Sequence, residues 1–250
     1  MKINEIGYMI VDQERKVIYL HNPKCGGTFL RDIYIEKYGK TDATKWWKLF
    51  SHQYGVDLGH ITYDDLPRFI PEWKDYRIVT MIRNPYNRFY SGIKELKSQL
   101  VPFELFSIKC SGHLIDEEWL SLNKFQKTYE FLRSICPGTD TRLLVKLNLA
   151  SPEDTCKYIS SLKRSKQDVL LRNKRIPWIT PQSYYMAEKI ELLWYESEDD
   201  WEKLLDIFGL SAYKERLKIA KDYAIPDAIR GMIEKLYPED RELFSMYGDK

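Results

Sequence analysis

Apolar and polar positions along this chain follow two periods, and each change of period marks an element. Val17-Ile18-Tyr19-Leu20 is a continuous apolar run, short enough for a strand buried on both faces. Gly7 to Val11 is a second short run. The polar Asp12-Gln13-Glu14-Arg15 between them predicts a hairpin. Phe29, Leu30, Ile33 and Tyr34 then recur at helical spacing and predict a helix over 26–38. Ile78 to Ile82, rich in β-branched residues, predicts a second buried strand. After it, Asn84 suits a helix N-cap and Pro85 the first helical position. Phe89, Ile93, Leu96 and Leu100 share one face of that helix, with Asn87 and Ser91 on the opposite face.

The rest of the chain reads more coarsely. Residues 40–75 predict loops with short helices, and 119–135 a less regular helical region. Ser151-Pro152-Glu153-Asp154 is a helix start. Ile190 to Tyr195 predicts a third buried strand. Ser197 caps a helix in which Trp201, Leu204, Leu205 and Phe208 keep i, i+3, i+4, i+7 spacing, and Gly209 ends it. Two short helices start near Pro226 and Pro238. Strands alternating with helices predict an α/β fold with a parallel sheet, whose ligand edge lies beyond the carboxyl ends of the strands.

Composition narrows this only a little. A chain of 250 residues buries enough surface for one core, so a single domain over 1–250 is expected. A net charge of +2 gives no reason to expect a nucleic acid partner, so any electropositive site must be local. Cys25, Cys110, Cys136 and Cys156 share no C-x-x-C spacing, which predicts free thiols and no metal. The start, Met-Lys-Ile-Asn-Glu, has no signal-peptide core, and no apolar run reaches membrane-span length. A cytoplasmic protein without a membrane span is expected.

The candidate chemistry begins at Leu20-His21-Asn22-Pro23-Lys24-Cys25-Gly26-Gly27-Thr28-Phe29. A strand that passes through a Lys-x-Gly-Gly-Thr turn into a helix builds an anion site. Glycines let backbone amides approach a phosphate, and the helix start adds unpaired N–H groups and a positive dipole end. The order is not that of the usual ATP loop, in which lysine follows the last glycine. Residues 83–91, Arg83-Asn84-Pro85 with Arg88 and Ser91, form a second strand-to-helix element. Arg83 and Ser91 are spaced to meet one anion, while Arg88 by itself reads as a solvated charge.

Pro-Lys-x-Gly-Gly-Thr after a strand resembles the 5′-phosphosulfate loop of sulfotransferases, and Arg-x-Pro-x-x-Arg-x-x-Ser resembles their 3′-phosphate motif. Tyr195-Glu196-Ser197-Glu198-Asp199-Asp200-Trp201 and the ending from Tyr237 to Gly248 are similar to further segments of that family. The chain thus resembles the heparan and chondroitin/dermatan O-sulfotransferases over most of its length, with little match in 100–160. The resemblance implies a P-loop-nucleotide-kinase-like parallel sheet flanked by helices. It implies 3′-phosphoadenosine 5′-phosphosulfate (PAPS) as donor, adenosine 3′,5′-bisphosphate as product, and no metal. Lys24 would contact the phosphosulfate near the bridging oxygen. Backbone amides of Cys25, Gly26, Gly27, Thr28 and Phe29 would cradle the 5′-phosphate, and Arg83 and Ser91 would hold the 3′-phosphate.

An acceptor hydroxyl must lose a proton. Gly59-His60-Ile61-Thr62-Tyr63 resembles the Gly-His-Val-Ser-Tyr of the 2-O-sulfotransferases, whose histidine there is the base. His60 is the implied base, since an imidazole titrates near about pH 6.5. His52 is the alternative, followed by Asp64 or Asp65, and His21 reads as structural. The basic stretch 163–175 admits two readings, a solvated loop or a face toward an anionic acceptor or the 3′-phosphate, through Arg172 and Arg175. Trp178-Ile-Thr-Pro-Gln182 resembles the family's aromatic-x-x-Pro-Gln segment beside the site, which implies Trp178 and Gln182 as further candidate contacts to the acceptor or the 3′-phosphate. The implied acceptor is a saccharide or a small soluble metabolite. Two other classes stay open, a non-catalytic adenosine bisphosphate sensor and a divergent nucleotide kinase. Aromatic residues in 34–54 suit either stacking on a sugar or core packing.

Overall fold

Every residue of the first two strands, Ile10–Asp12 and Val17–Tyr19, is buried, as a sheet with both faces covered requires. The computed structural model describes residues 9–44, 50–51, 56–99, 151–172, 177–220 and 222–248. Their elements in order are β1 (Ile10–Asp12), β2 (Val17–Tyr19), α1 (Gly27–Tyr38), β3 (Phe50–Ser51), β4 (Val56–Asp57), α2 (Leu66–Phe69), β5 (Arg77–Ile82), α3 (Pro85–Gln99), α4 (Pro152–Ser161), α5 (Arg164–Leu171), β6 (Ile190–Trp194), α6 (Glu198–Ile207), α7 (Asp227–Leu236) and α8 (Arg241–Gly248), with short 3-10 turns between them. The chain forms two compact units. The first takes 1–49, 57–84 and 182–222, and the second 50–56, 85–181 and 223–250.

The first unit carries a four-stranded sheet in the order β1-β2-β5-β6. β1 is antiparallel to β2, in the expected hairpin, while β2–β5 and β5–β6 are parallel. The fold is therefore mixed α/β with a mostly parallel sheet. Ile18 lies opposite Ile78, and Ile82 opposite Trp194, so β2, β5 and β6 run the same way. Tyr19, Leu30, Ile33, Val79, Met81, Leu193, Trp201, Leu204 and Phe208 form one buried cluster. α6 ends as its sequence demands, with Gly209 in the left-handed region at φ 64°. Its start is capped by Ser197, whose Oγ accepts the Asp200 N–H at 3.2 Å.

The described tyrosines of 34–54 serve packing. Tyr34 donates its hydroxyl to Asp12 Oδ2 at 3.0 Å, and Tyr38 donates to the Phe208 carbonyl at 3.0 Å. Burial, with the Asp12 carboxylate beside it, pushes the Tyr34 hydroxyl far above the usual tyrosine range. Both rings are thus engaged by protein groups. Trp46, Trp47 and Tyr54 of that stretch lie outside the described residues.

In the second unit α3 departs from the two-faced helix the sequence predicts. Tyr86, Asn87, Arg88, Phe89 and Tyr90 are all buried in succession. Asn87 Oδ1 accepts the Tyr223 N–H at 2.9 Å, and Arg88 donates to the carbonyl oxygens of Thr180 at 2.6 Å and Pro177 at 3.4 Å. Arg88 is therefore not a solvated charge. Neighbouring segments cover the helix on several sides, and each buried polar group takes a backbone partner. α4 begins where expected, with Ser151 Oγ accepting the Asp154 N–H at 3.0 Å. Cys156 is buried, and burial pushes its thiol up to about 11, so it stays protonated and inert at neutral pH. The helical region expected around 119–135, Cys110, Cys136 and residues 7 and 8 of the first apolar run lie outside the described residues.

Candidate functional site

The Lys24 turn begins where β2 leaves the sheet. The Leu20 N–H still donates to Val79 O at 2.9 Å, and Thr80 Oγ1 donates to Leu20 O at 2.7 Å. Asn22 then anchors the turn to the next strand, its amide nitrogen donating to Met81 O at 3.1 Å. Lys24 and Gly26 both adopt left-handed backbone, at φ 69° and 83°. Left-handed residues of this kind aim successive N–H groups into one concavity, a ready anion nest. Phe29 and Leu30 donate their N–H groups to Gly26 O at 3.0 and 3.3 Å. Among the described residues the N–H groups of Gly26, Gly27 and Thr28 have no backbone acceptor, as expected for the first positions of α1.

Both glycines are also required by space. A Cβ on Gly26 would lie 2.4 Å from the Trp201 ring, and one on Gly27 would lie 2.2 Å from the His21 ring. The Trp201 indole cannot swing away easily, because its Nε1–H donates to Tyr195 O at 2.8 Å. Gly26→Ala should therefore cost about 1–3 kcal/mol from overpacking, with left-handed strain in addition. Thermal unfolding should show a melting temperature lowered by several degrees. An unchanged melting temperature would mean that the turn is looser than these distances.

Arg83 stands at the carboxyl end of β5, beside the turn. Its Nη1 donates to Lys24 O at 3.1 Å, and its guanidinium stacks 4.5 Å from the centre of the Tyr195 ring. The residue is 4 % exposed, and among the described residues its Nε has no hydrogen-bond partner. A buried cation with an idle donor is costly unless an anion meets it. Gln182 ties this end of the sheet together. Its Oε1 accepts from Asn22 Nδ2 at 3.0 Å and from the Arg83 N–H at 3.0 Å, and its Nε2 donates to Arg83 O at 2.7 Å. Gln182 is thus a clamp between the two strand ends, whereas the sequence offered it as a ligand contact. Cys25 Sγ is buried 3.7 Å from Gln182 Oε1.

His60 closes a 3-10 turn, Leu58–His60. Tyr185 donates its hydroxyl to His60 O at 3.2 Å. Just beyond, Asp65 Oδ2 accepts from the Thr62 N–H at 3.1 Å and from Thr62 Oγ1 at 2.7 Å, a capping box that stiffens the segment. Asp65 is thereby engaged in the cap, and Asp64 is exposed. The His60 ring lies 4.7 Å from the His21 ring, centre to centre.

The other expected positions are scattered. Thr28 is exposed and Phe29 half-buried, its ring edge-on to Trp201 at 5.7 Å. Ser91 is half-buried on α3, in the second unit. In that unit Arg172 pairs with Asp168 at 2.9 Å and with Glu239, its Nη2 2.8 Å from Glu239 Oε2, and donates to Leu236 O at 3.0 Å. Those contacts engage it within the second unit. Trp178 is half-buried there, with its carbonyl against Gly92. Arg175, His52 and His113 lie outside the described residues. Sequence reasoning missed Asn22 and Tyr195 as parts of the anion turn. Their signals were Asn22's place two residues before Lys24 and Tyr195's at the end of the third predicted strand, where it heads the segment similar to the family.

Among the described residues no group of three or more His, Cys, Asp or Glu side chains could hold a metal. No helix among them is long and apolar enough to cross a membrane. Compared with known proteins, the chain matches no family model, no curated protein and no solved structure.

Proposed function

We propose that this chain is a PAPS-dependent O-sulfotransferase on a P-loop-nucleotide-kinase-like α/β fold. One observation carries the reading. At the carboxyl edge of the parallel strands, a turn with left-handed Lys24 and Gly26 presents the N–H groups of Gly26, Gly27 and Thr28, which have no backbone acceptor among the described residues, and the buried Arg83 guanidinium adjoins it with its Nε unpartnered among those residues. Backbone N–H groups and a fixed guanidinium suit phosphate oxygens, and the glycines leave room for close approach. In this reading Lys24 and the amides of Gly26, Gly27 and Thr28 take the 5′-phosphosulfate, the N–H groups of Cys25 and Phe29 being bonded to Asn22 O and Gly26 O, and Arg83 takes the 3′-phosphate. The part of Ser91 rests on its place in the sequence motif. The acceptor is a hydroxyl of a saccharide or a small metabolite.

The acceptor oxygen attacks sulfur in line, and the bond from sulfur to the bridging phosphate oxygen breaks. Adenosine 3′,5′-bisphosphate leaves with that electron pair, and Lys24 offsets the charge that develops on it. His60 takes the acceptor's proton. Positioning and charge stabilisation supply most of the rate in such a transfer.

Calorimetry with adenosine 3′,5′-bisphosphate, and transfer from labelled PAPS to a panel of hydroxylated acceptors read by mass spectrometry, test the proposal. Absence of bisphosphate binding would end it. Binding with no transfer to any acceptor would point to a sensor, and a requirement for ATP and Mg²⁺ to a kinase. Arg83→Ala should weaken bisphosphate binding by about 10- to 150-fold, the scale of a lost charge-assisted hydrogen bond worth about 1.5–3 kcal/mol. Adenosine 5′-monophosphate, which lacks the 3′-phosphate, should lose much less. Equal losses for both nucleotides would remove Arg83 from the 3′-phosphate.

A further inference from the structure

His21 touches both halves of the proposed chemistry. It follows β2 and is 4 % exposed, with its ring stacked over Tyr19 at 5.9 Å and 24° between planes. One edge of the ring lies against Gly27, where a Cβ would come within 2.2 Å of both Cδ2 and Nε2. Another side meets the His60 ring at 4.7 Å and 37°. The imidazole is thus wedged between the first residue of α1, whose N–H belongs to the anion turn, and the residue assigned as base. The His60 backbone is fixed at its carbonyl, which accepts the Tyr185 hydroxyl at 3.2 Å, and the Thr62–Asp65 cap follows two residues later in the chain. A ring in contact with both, in an interior packed this tightly, transmits small displacements of one to the other.

We infer that His21 is a positioning residue that couples occupancy of the Lys24–Thr28 turn to the placement of His60. The inference rests on the sulfotransferase reading for its reaction, but the coupling can be read without turnover. Misplacing a reacting group by about 1 Å costs on the order of 10²-fold in rate. His21→Ala removes the wedge, so kcat should fall about 10- to 100-fold. Affinity for adenosine 3′,5′-bisphosphate should change by less than about threefold, because the donors of the turn are its backbone amides, Lys24 and Arg83, and the His21 side chain is not one of them. His21→Phe keeps a flat ring of similar size and should restore most of kcat, although phenylalanine cannot carry a proton.

The second measurement follows the ring signals of His60 by NMR while bisphosphate is added. Wild type and His21→Phe should both show a shift at His60. In His21→Ala that shift should shrink by more than about half, the expected loss when the ring between the two sites is removed. Thermal unfolding of each variant reports whether it is folded. An unchanged kcat in His21→Ala would overturn the inference. A loss of bisphosphate affinity in step with kcat would also do so, since His21 would then belong to the anion turn itself. A His60 response identical with and without the ring would do the same. If bisphosphate moves His60 through His21 but no acceptor is ever sulfated, the coupling stands and the transferase reading falls. If wild type binds no bisphosphate, both fall.

Discussion

Lys24→Ala should reduce sulfuryl transfer by roughly 10²–10³-fold, the scale of losing one preorganised charge at the position where negative charge develops. Two features make this a clean test. Lys24 already holds left-handed backbone at φ 69°, and alanine there meets the same strain, so the turn's conformation is not put at risk by the change. Its side chain is half-buried, so removing it opens no core cavity. The melting temperature should therefore stay within about 2 °C, less than the change expected for 1 kcal/mol in a chain of this size. Bisphosphate affinity should fall less than turnover, since the amides and Arg83 remain. Lysine's point charge is not replaced by a planar guanidinium, so Lys24→Arg should recover only part of the rate. Turnover within about threefold of wild type would remove Lys24 from the reaction, because a charge-stabilising group is worth far more than that.

His60→Ala should lower turnover by a similar factor, roughly 10²–10³-fold, through loss of proton transfer from the acceptor. Here the expected pattern differs. His60 is 6 % exposed and packs on His21, so its removal also leaves a small void. A lowered melting temperature would accordingly accompany the loss. His60→Asn, which fills part of the void but is no base, separates the two effects: it should recover stability and leave turnover low. Bisphosphate affinity should hold within about threefold in both variants, since a base in the proposed role meets the acceptor rather than the donor phosphates. If His60→Asn turns over like wild type, the proton goes elsewhere, and His52 and then Asp64 become the residues to test. Asp65 is a poorer choice because its carboxylate is taken up by Thr62 and lies 3.7 Å from Arg68.

The strands and most helix ends were legible because their signals are local. Ser151 and Ser197 cap the helices they were expected to cap, and Gly209 turns left-handed where α6 stops. Apolar runs at 17–20 and 78–82 became neighbouring parallel strands for the same reason: a continuous apolar run cannot tolerate a wet face. The failures fell on α3. Arg88 looked solvent-facing, and Asn87 was set on the face opposite the apolar one, because a single helix's periodicity describes only one packing partner, and α3 has several within its unit.

By itself, the sequence determined the Lys24 turn, since glycines at 26 and 27 between a strand and a helix leave one local solution, and it determined that Arg83 follows a buried strand. Tertiary structure alone decided that Gln182, 160 residues further on, clamps Asn22 to the end of β5. It alone set Arg83 on Tyr195, and His21 between Gly27 and His60. The physical reason is range. Backbone strain and capping act over a few residues and can be read in order along the chain. Ring contacts and amide bridges between distant segments exist only once the sheet has fixed which strands are neighbours.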